Sequence, residues 1–206
     1  MIVIFGPAGS GKSTQGRKIA DTYGLRWLSV GQVLRDTGDF DEILKKGELV
    51  DDATVVELMD KQIAFADAEG MDVILDGYPR DMEQVNIMLN DSSNFFDKLS
   101  GAIVLEVPKE ELWERISGRG REDDTREVVE RRFEIFEQNI CSILPLLIER
   151  NIPVETVNGV GDFEDVTERI TKVIQKMMPG IVKVMALDNP ESIENDALER
   201  EKSYGE

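Results

Sequence analysis

Eight residues near the amino terminus, Gly6-Pro7-Ala8-Gly9-Ser10-Gly11-Lys12-Ser13, match the spacing G-x-x-x-x-G-K-[ST] at every fixed position. A loop of this kind turns backbone N–H groups inward around phosphate oxygens, and the helix after it adds the partial positive charge of its N-terminus. Gly9, Ser10 and Gly11 supply that cradle. Lys12 is spaced to reach the β- and γ-phosphates of a nucleotide, and Ser13 or Thr14 to face a Mg²⁺ ion. A second cluster lies downstream, where six of the thirteen arginines, Arg115, Arg119, Arg121, Arg126, Arg131 and Arg132, fall within eighteen residues. Asp76 closes an apolar run, where a carboxylate can hold Mg²⁺ through its water shell. The chemistry these residues suit is the binding of a nucleotide's phosphates with a metal ion; a phosphate loop alone identifies a nucleotide site and no reaction.

The rest of the composition narrows the field. The chain has 206 residues with 24 Lys and Arg against 42 Asp and Glu, a formal charge of −18. Binding to nucleic acid or to an anionic membrane is not expected of so acidic a chain, and an anionic ligand needs a local basic pocket. With no histidine and one cysteine, Ser-His-Asp hydrolysis, Cys-His catalysis, His-ligated zinc and an intramolecular disulfide are all excluded. No apolar run approaches bilayer length and the start lacks a basic leader, so a cytoplasmic protein is expected.

These groups need a scaffold. An apolar run over residues 1–5 reads as a strand buried on both faces, followed by a helix from Gly11 to Tyr23 that Gly24 stops. Further strands are predicted at Arg26–Ser29, Asp72–Asp76, Gly101–Val107 and Pro153–Val157. Helices are predicted at Val33–Lys46, Thr54–Glu69, Met82–Leu89, Lys109–Ser117, about Thr125–Arg150 and Phe163–Met178. The alternation implies an α/β fold, a five-stranded parallel sheet with helices on both faces. The long helix carries a stripe of Val128, Val129, Phe133, Phe136, Ile140, Ile143, Leu144 and Leu147, with Cys141 expected as core filler and a kink at Pro145. After Pro179-Gly180 the composition shifts. Residues 181–206 hold seven acids and three bases and read as a loosely attached tail with a short helix near Ser192–Lys202.

Five ordered motifs go further. They are Ser29-Val30-Gly31-Gln32-Val33-Leu34-Arg35, Gly47-Glu48-Leu49-Val50, Leu75-Asp76-Gly77-Tyr78-Pro79-Arg80 with Gln84 beyond, Gly118-Arg119-Gly120-Arg121-Glu122-Asp123-Asp124-Thr125 followed by Arg132, and Val157-Asn158-Gly159-Val160-Gly161. With the phosphate loop, they resemble the nucleoside monophosphate kinases, most closely the short-lid adenylate kinases, over about residues 1–178. The resemblance implies a P-loop kinase fold with a short lid at 115–124, a reduced monophosphate-binding segment at 30–50 and an acidic tail at 179–206. It implies a monomer that takes ATP and a nucleoside monophosphate, AMP first, with Mg²⁺ as cofactor, and the lid leaves no room for a zinc-bearing insertion.

The same resemblance assigns roles. Lys12, Arg80, Arg115, Arg121 and Arg132 form its catalytic set, with Arg121 and Arg132 clamping the two phosphate groups. Arg115, Arg119 and Gly161 join the phosphate loop, including Ser13 and Thr14, on ATP. Val30, Arg35, Glu48, Leu49, Val50, Gly77, Tyr78, Pro79, Arg80, Gln84, Arg121 and Arg132 surround AMP, and Asp76 with Ser13 serves the metal. Arg126 and Arg131 are expected to be solvated helix charges. Three positions depart from the pattern. Val30 stands where a threonine is usual, Gly47 follows Arg35 by only twelve positions, and Ser13 replaces a glycine. Two readings therefore stay open beside AMP phosphorylation: a kinase for UMP or CMP, and a nucleotide-binding regulatory module without catalysis.

Overall fold

The computed structural model describes residues 1–40, 50–90, 94–119 and 125–183. Five strands run β1 Ile2–Phe5, β2 Arg26–Ser29, β3 Val73–Asp76, β4 Gly101–Glu106 and β5 Val154–Asn158. Seven α-helices lie among the described residues: α1 Lys12–Tyr23, α2 Val30–Thr37, α3 Asp52–Ala68, α4 Met82–Asn90, α5 Lys109–Arg119, α6 Arg126–Glu149 and α7 Phe163–Met177. All strand pairs are parallel, in the order β2-β3-β1-β4-β5. The expected α/β sheet with five parallel strands is the one observed.

Every residue of β1 is buried, because side chains alternate and both faces are covered. Ile2 and Ile4 join Ile19 and Ala20 of α1 and Val166, Ile170 and Ile174 of α7 on one face. Val3 and Phe5 join Val33 and Leu34 of α2, Met59 and Ile63 of α3, Val85 and Met88 of α4, and Ile143 and Leu147 of α6 on the other. A third cluster joins Leu112 and Ile116 of α5 to Val129 and Phe133 of α6, with Ala8 of the phosphate loop packed on it. That cluster is what carries the arginine-rich helix up to the loop.

Several expectations need correction. Cys141 is exposed rather than a core filler, since it falls one residue past Ile140 and about 100° round the helix from the inward row. Val128 is exposed by the same geometry, and its neighbour Val129 takes the inward place. The helix expected at about Thr125–Arg150 is present as α6, with Pro145 inside it. α2 begins at Val30 rather than Val33, directly from β2. α2 also stops at Thr37, where Gly38 takes φ 71°, so the helix expected at Val33–Lys46 breaks off early; positions 41–46 and the tail helix near Ser192–Lys202 lie outside the described residues.

Candidate active site

In an open parallel sheet, ligands collect at the carboxyl ends of the strands where the strand order reverses. Here that point lies at β1, whose neighbours β3 and β4 lead to opposite edges. The loop from Gly6 to Gly11 leaves β1 there and feeds α1. Gly9 has φ 81°, and a Cβ on it would come within 2.9 Å of the Ile116 side chain. Only glycine meets both conditions at that turn. The loop closes on itself through the Ser10 N–H, which donates to the Pro7 carbonyl at 3.2 Å.

Lys12 Nζ donates to the Pro7 carbonyl across the loop at 3.3 Å. Its stem lies over the neighbouring turn, for a Cβ on Gly77 would stand 3.4 Å from Lys12 Cε. Gly77 itself has φ 65° and donates its N–H to the Ile4 carbonyl at 2.9 Å. The phosphate loop and the Asp76-Gly77-Tyr78-Pro79-Arg80 turn are therefore one structure, stitched at the ends of β1 and β3. Asp76, paired in register with Ile4 on one side and Ser29 on the other, is 6% exposed.

Two buried oxygens at this place, Asp76 Oδ2 and Ser10 Oγ, have no hydrogen-bond partner. A buried carboxylate oxygen without a donor is costly unless a cation or its water answers it. Among the described residues no three His, Cys, Asp or Glu side chains gather to cage a metal. A single carboxylate beside a phosphate loop fits Mg²⁺, which arrives on nucleotide phosphates and keeps several waters. Asp76, through water, and Ser13 on the exposed first turn of α1 are the residues that would hold it.

Arg115 links three segments. Its Nη1 donates to the Ser10 carbonyl at 3.4 Å, its Nη2 to the Gly159 carbonyl at 2.9 Å, and its Nε and Nη2 to Glu111 at 3.1 and 2.9 Å. Four of its five N–H donors are thus committed to the protein. The loop after β5 has a second guanidinium that the sequence reading missed. Arg169 of α7 donates to the Asn158 carbonyl and, at 2.8 Å, to that of Val160, which puts it against Gly161. Gln15 was also missed. It is 4% exposed, and it ties α1 to α7 through the Phe163 carbonyl at 3.0 Å and the Thr167 hydroxyl at 2.7 Å. A Gly-rich loop with bare carbonyls was the only available sequence signal that some distant donor had to exist.

The segments that follow β2 and β3 are held differently. Arg35 is exposed on α2, with Nη2 donating to Gln32 Oε1 at 3.1 Å. Arg80 is exposed at the end of its turn. Tyr78 is fully buried, packed edge-on to Phe95 at 5.8 Å, and Pro79 is buried beside it, so of this turn Gly77, half-buried, and Arg80 keep contact with solvent. Burial, reinforced by the charges of Asp60 and Asp52, pushes the Tyr78 hydroxyl above the ordinary tyrosine range. Val30 lies in the core at 3% exposure and Val50 is half-buried. Gln84 is 2% exposed.

Arg132 is half-buried on α6 next to Phe133, whose cluster includes Ala8 of the phosphate loop. Arg126 and Arg131 are exposed, and Arg126 lies 5.8 Å from the Trp113 ring centre. Arg119 closes α5. Arg121, Glu48 and Leu49 lie outside the described residues. Lys12, Asp76, Gly77 and Arg115 are brought to one place, α6 packs beside the phosphate loop through the Phe133 cluster, and Arg35 and Arg80 follow the carboxyl ends of the adjacent strands β2 and β3.

Comparison with known proteins agrees with this geometry. The family model for adenylate kinase matches residues 4–152. An adenylate kinase of Micrococcus luteus is 36% identical over 185 residues, covering 84% of this chain and 89% of the relative. One from Xanthomonas oryzae pv. oryzae is 34% identical over 186 residues, covering 84% and 98%. One from Xylella fastidiosa is 32% identical over 182 residues, covering 82% and 96%.

Proposed function

This chain belongs to the adenylate kinase family, and from that premise we propose that it transfers the γ-phosphoryl group of ATP reversibly to AMP, giving two ADP. The observation that supports this most directly is the stitching of Lys12 to the Asp76–Arg80 turn, which joins a triphosphate loop to an acceptor turn at one strand end. Kinases for UMP or CMP and a non-catalytic module are not favoured, since the relatives described above are named adenylate kinases.

In the transfer, an oxygen of the AMP phosphate bonds to the γ-phosphorus while the bond to the β-bridging oxygen breaks. The attacking oxygen belongs to a phosphate already mostly ionised at neutral pH, its second pKa being about 6, so no base has to remove a proton. A chain without histidine is suited to this step. Lys12 and the phosphate-loop N–H groups orient the ATP phosphates, with Gly161 and its loop beside the adenine. Arg35 and Arg80 hold the acceptor phosphate, and Arg121 and Arg132 spread positive charge over the oxygens in flight. Arg119 covers ATP from the short lid at 115–124, and the segment 30–50 closes over AMP, excluding water. Arg115 keeps the two ATP-side loops in register. Mg²⁺, when bound with ATP beside Asp76 and Ser13, supplies neutralisation of the β- and γ-phosphate charge.

The test is direct. Incubation with ADP and Mg²⁺ should yield ATP and AMP in equal amounts, and failure to form them would sink the assignment. A rate panel over AMP, UMP, CMP and GMP then decides the acceptor, which Val30 alone calls into question.

A further inference from the structure

The buried amide of Gln84 is held at both ends by partners of opposite kind. Its Oε1 accepts from the Arg80 backbone N–H at 2.8 Å, and its Nε2 donates to Asp52 Oδ1 at 2.7 Å. A backbone N–H can only donate and an ionised carboxylate can only accept. Turning the amide over would set carbonyl against carboxylate and NH₂ against N–H, losing both bonds in a buried place. Amide orientation is normally assigned from such a network, and here both neighbours demand the same one. Asp52 is the first residue of α3, whose start Asp51 caps by accepting from the Thr54 N–H at 2.9 Å and the Thr54 hydroxyl at 2.7 Å.

After these bonds the amide retains one lone pair on Oε1 and one N–H on Nε2. Adenine offers a donor at its amino group and an acceptor at N1. Guanine offers the reverse at the same two places, an acceptor at O6 and a donor at N1. An amide free to turn could serve either base; an amide locked in one orientation serves one. We propose that Asp52 is a positioning residue for base selection, locking Gln84 so that its remaining acceptor and donor match adenine and oppose guanine. The inference rests on the reading of Gln84 as a contact for the AMP base.

The experiment is a kinetic one on the full chain, with AMP and GMP as acceptors. Asp52→Asn puts a group that can donate or accept where only an acceptor stood. The AMP-over-GMP ratio of kcat/KM should fall about tenfold, mainly through a higher KM for AMP, while the KM for ATP stays unchanged. Asp52→Glu keeps an ionised acceptor and should recover most of the discrimination. In a Gln84→Ala background, Asp52→Asn should add nothing, because the two act as a unit. Should Asp52→Asn fail to fold, Asp52→Ser, which also both donates and accepts, takes its place with the same expected results.

An unchanged ratio in the folded Asp52 variant, with Gln84→Ala still lowering it, overturns the role of Asp52 and leaves Gln84 as the base contact. An unchanged ratio in Gln84→Ala overturns both. Neither outcome touches the phosphoryl transfer itself, which the ADP incubation tests separately.

Discussion

The proposed ATP side and the proposed acceptor side of the site are organised on different principles. On the ATP side, Arg115 and Arg169 hold backbone carbonyls of Ser10, Asn158, Gly159 and Val160. Their conformational freedom is therefore surrendered on folding, and ATP meets loops already shaped. On the acceptor side Arg35 and Arg80 stand exposed, and ordering each on a phosphate costs about 0.5–1.5 kcal/mol of side-chain freedom. Gln84 is the exception there, locked before any base arrives. The contrast suggests an enzyme that recognises its acceptor base in advance and closes its acceptor phosphate contacts only on binding.

The largest effect should come from a residue that serves both sides. Lys12→Ala is expected to lower turnover by about 10²–10³-fold with an unchanged melting temperature, and a smaller loss for ATP hydrolysis than for transfer would not alter that. If Lys12→Ala keeps wild-type turnover, the joining of loop and turn has no catalytic meaning. Arg132→Ala should cost at least about 10²-fold in kcat with little change in stability; nearly unimpaired transfer would move the charge clamp elsewhere.

Arg169→Ala sharpens the comparison most. It should raise the KM for ATP about tenfold through loss of two hydrogen bonds to the adenine-side loop, and leave the KM for AMP alone. Equal effects on both substrates would erase the distinction between the two halves. The smallest effect belongs to Tyr78→Phe, which removes a buried hydroxyl without a partner and should change stability at pH 7 by no more than about 1 kcal/mol. Its folded pKa lies above the ordinary value of 10.0, so the neutral phenol belongs to the folded state. The stability it contributes is complete below pH 10 and declines as pH rises through the folded value. Urea titrations in the alkaline range should show a shallower decline for the variant.

Much of the scaffold could be read in advance, for a physical reason visible in particular elements. A run of five apolar residues before Gly6 can only be a strand covered on both faces, and Ile19 and Ala20 fall where a helical period turns them inward. Cys141 and Val128 were misjudged because hydrophobicity shows which residues could be buried, while one step of 100° decides which are. The phosphate loop was legible since its chemistry is local: eight consecutive residues supply the turn, the donors and the cation.

What joins distant segments was not legible. Nothing in the order of residues links Arg169 to Asn158, Gln15 to Thr167 or Asp52 to Gln84, since hydrogen bonds across 11, 152 and 32 positions depend on how helices settle on the sheet. The sequence alone determined the kind of protein, a phosphate-handling α/β enzyme without histidine chemistry, because spacing and composition bound what residues can do. Only the tertiary structure decided which guanidiniums are already committed to carbonyls and which way one buried amide faces. Those outcomes follow from packing, where each polar group must find whichever partner the fold has left beside it.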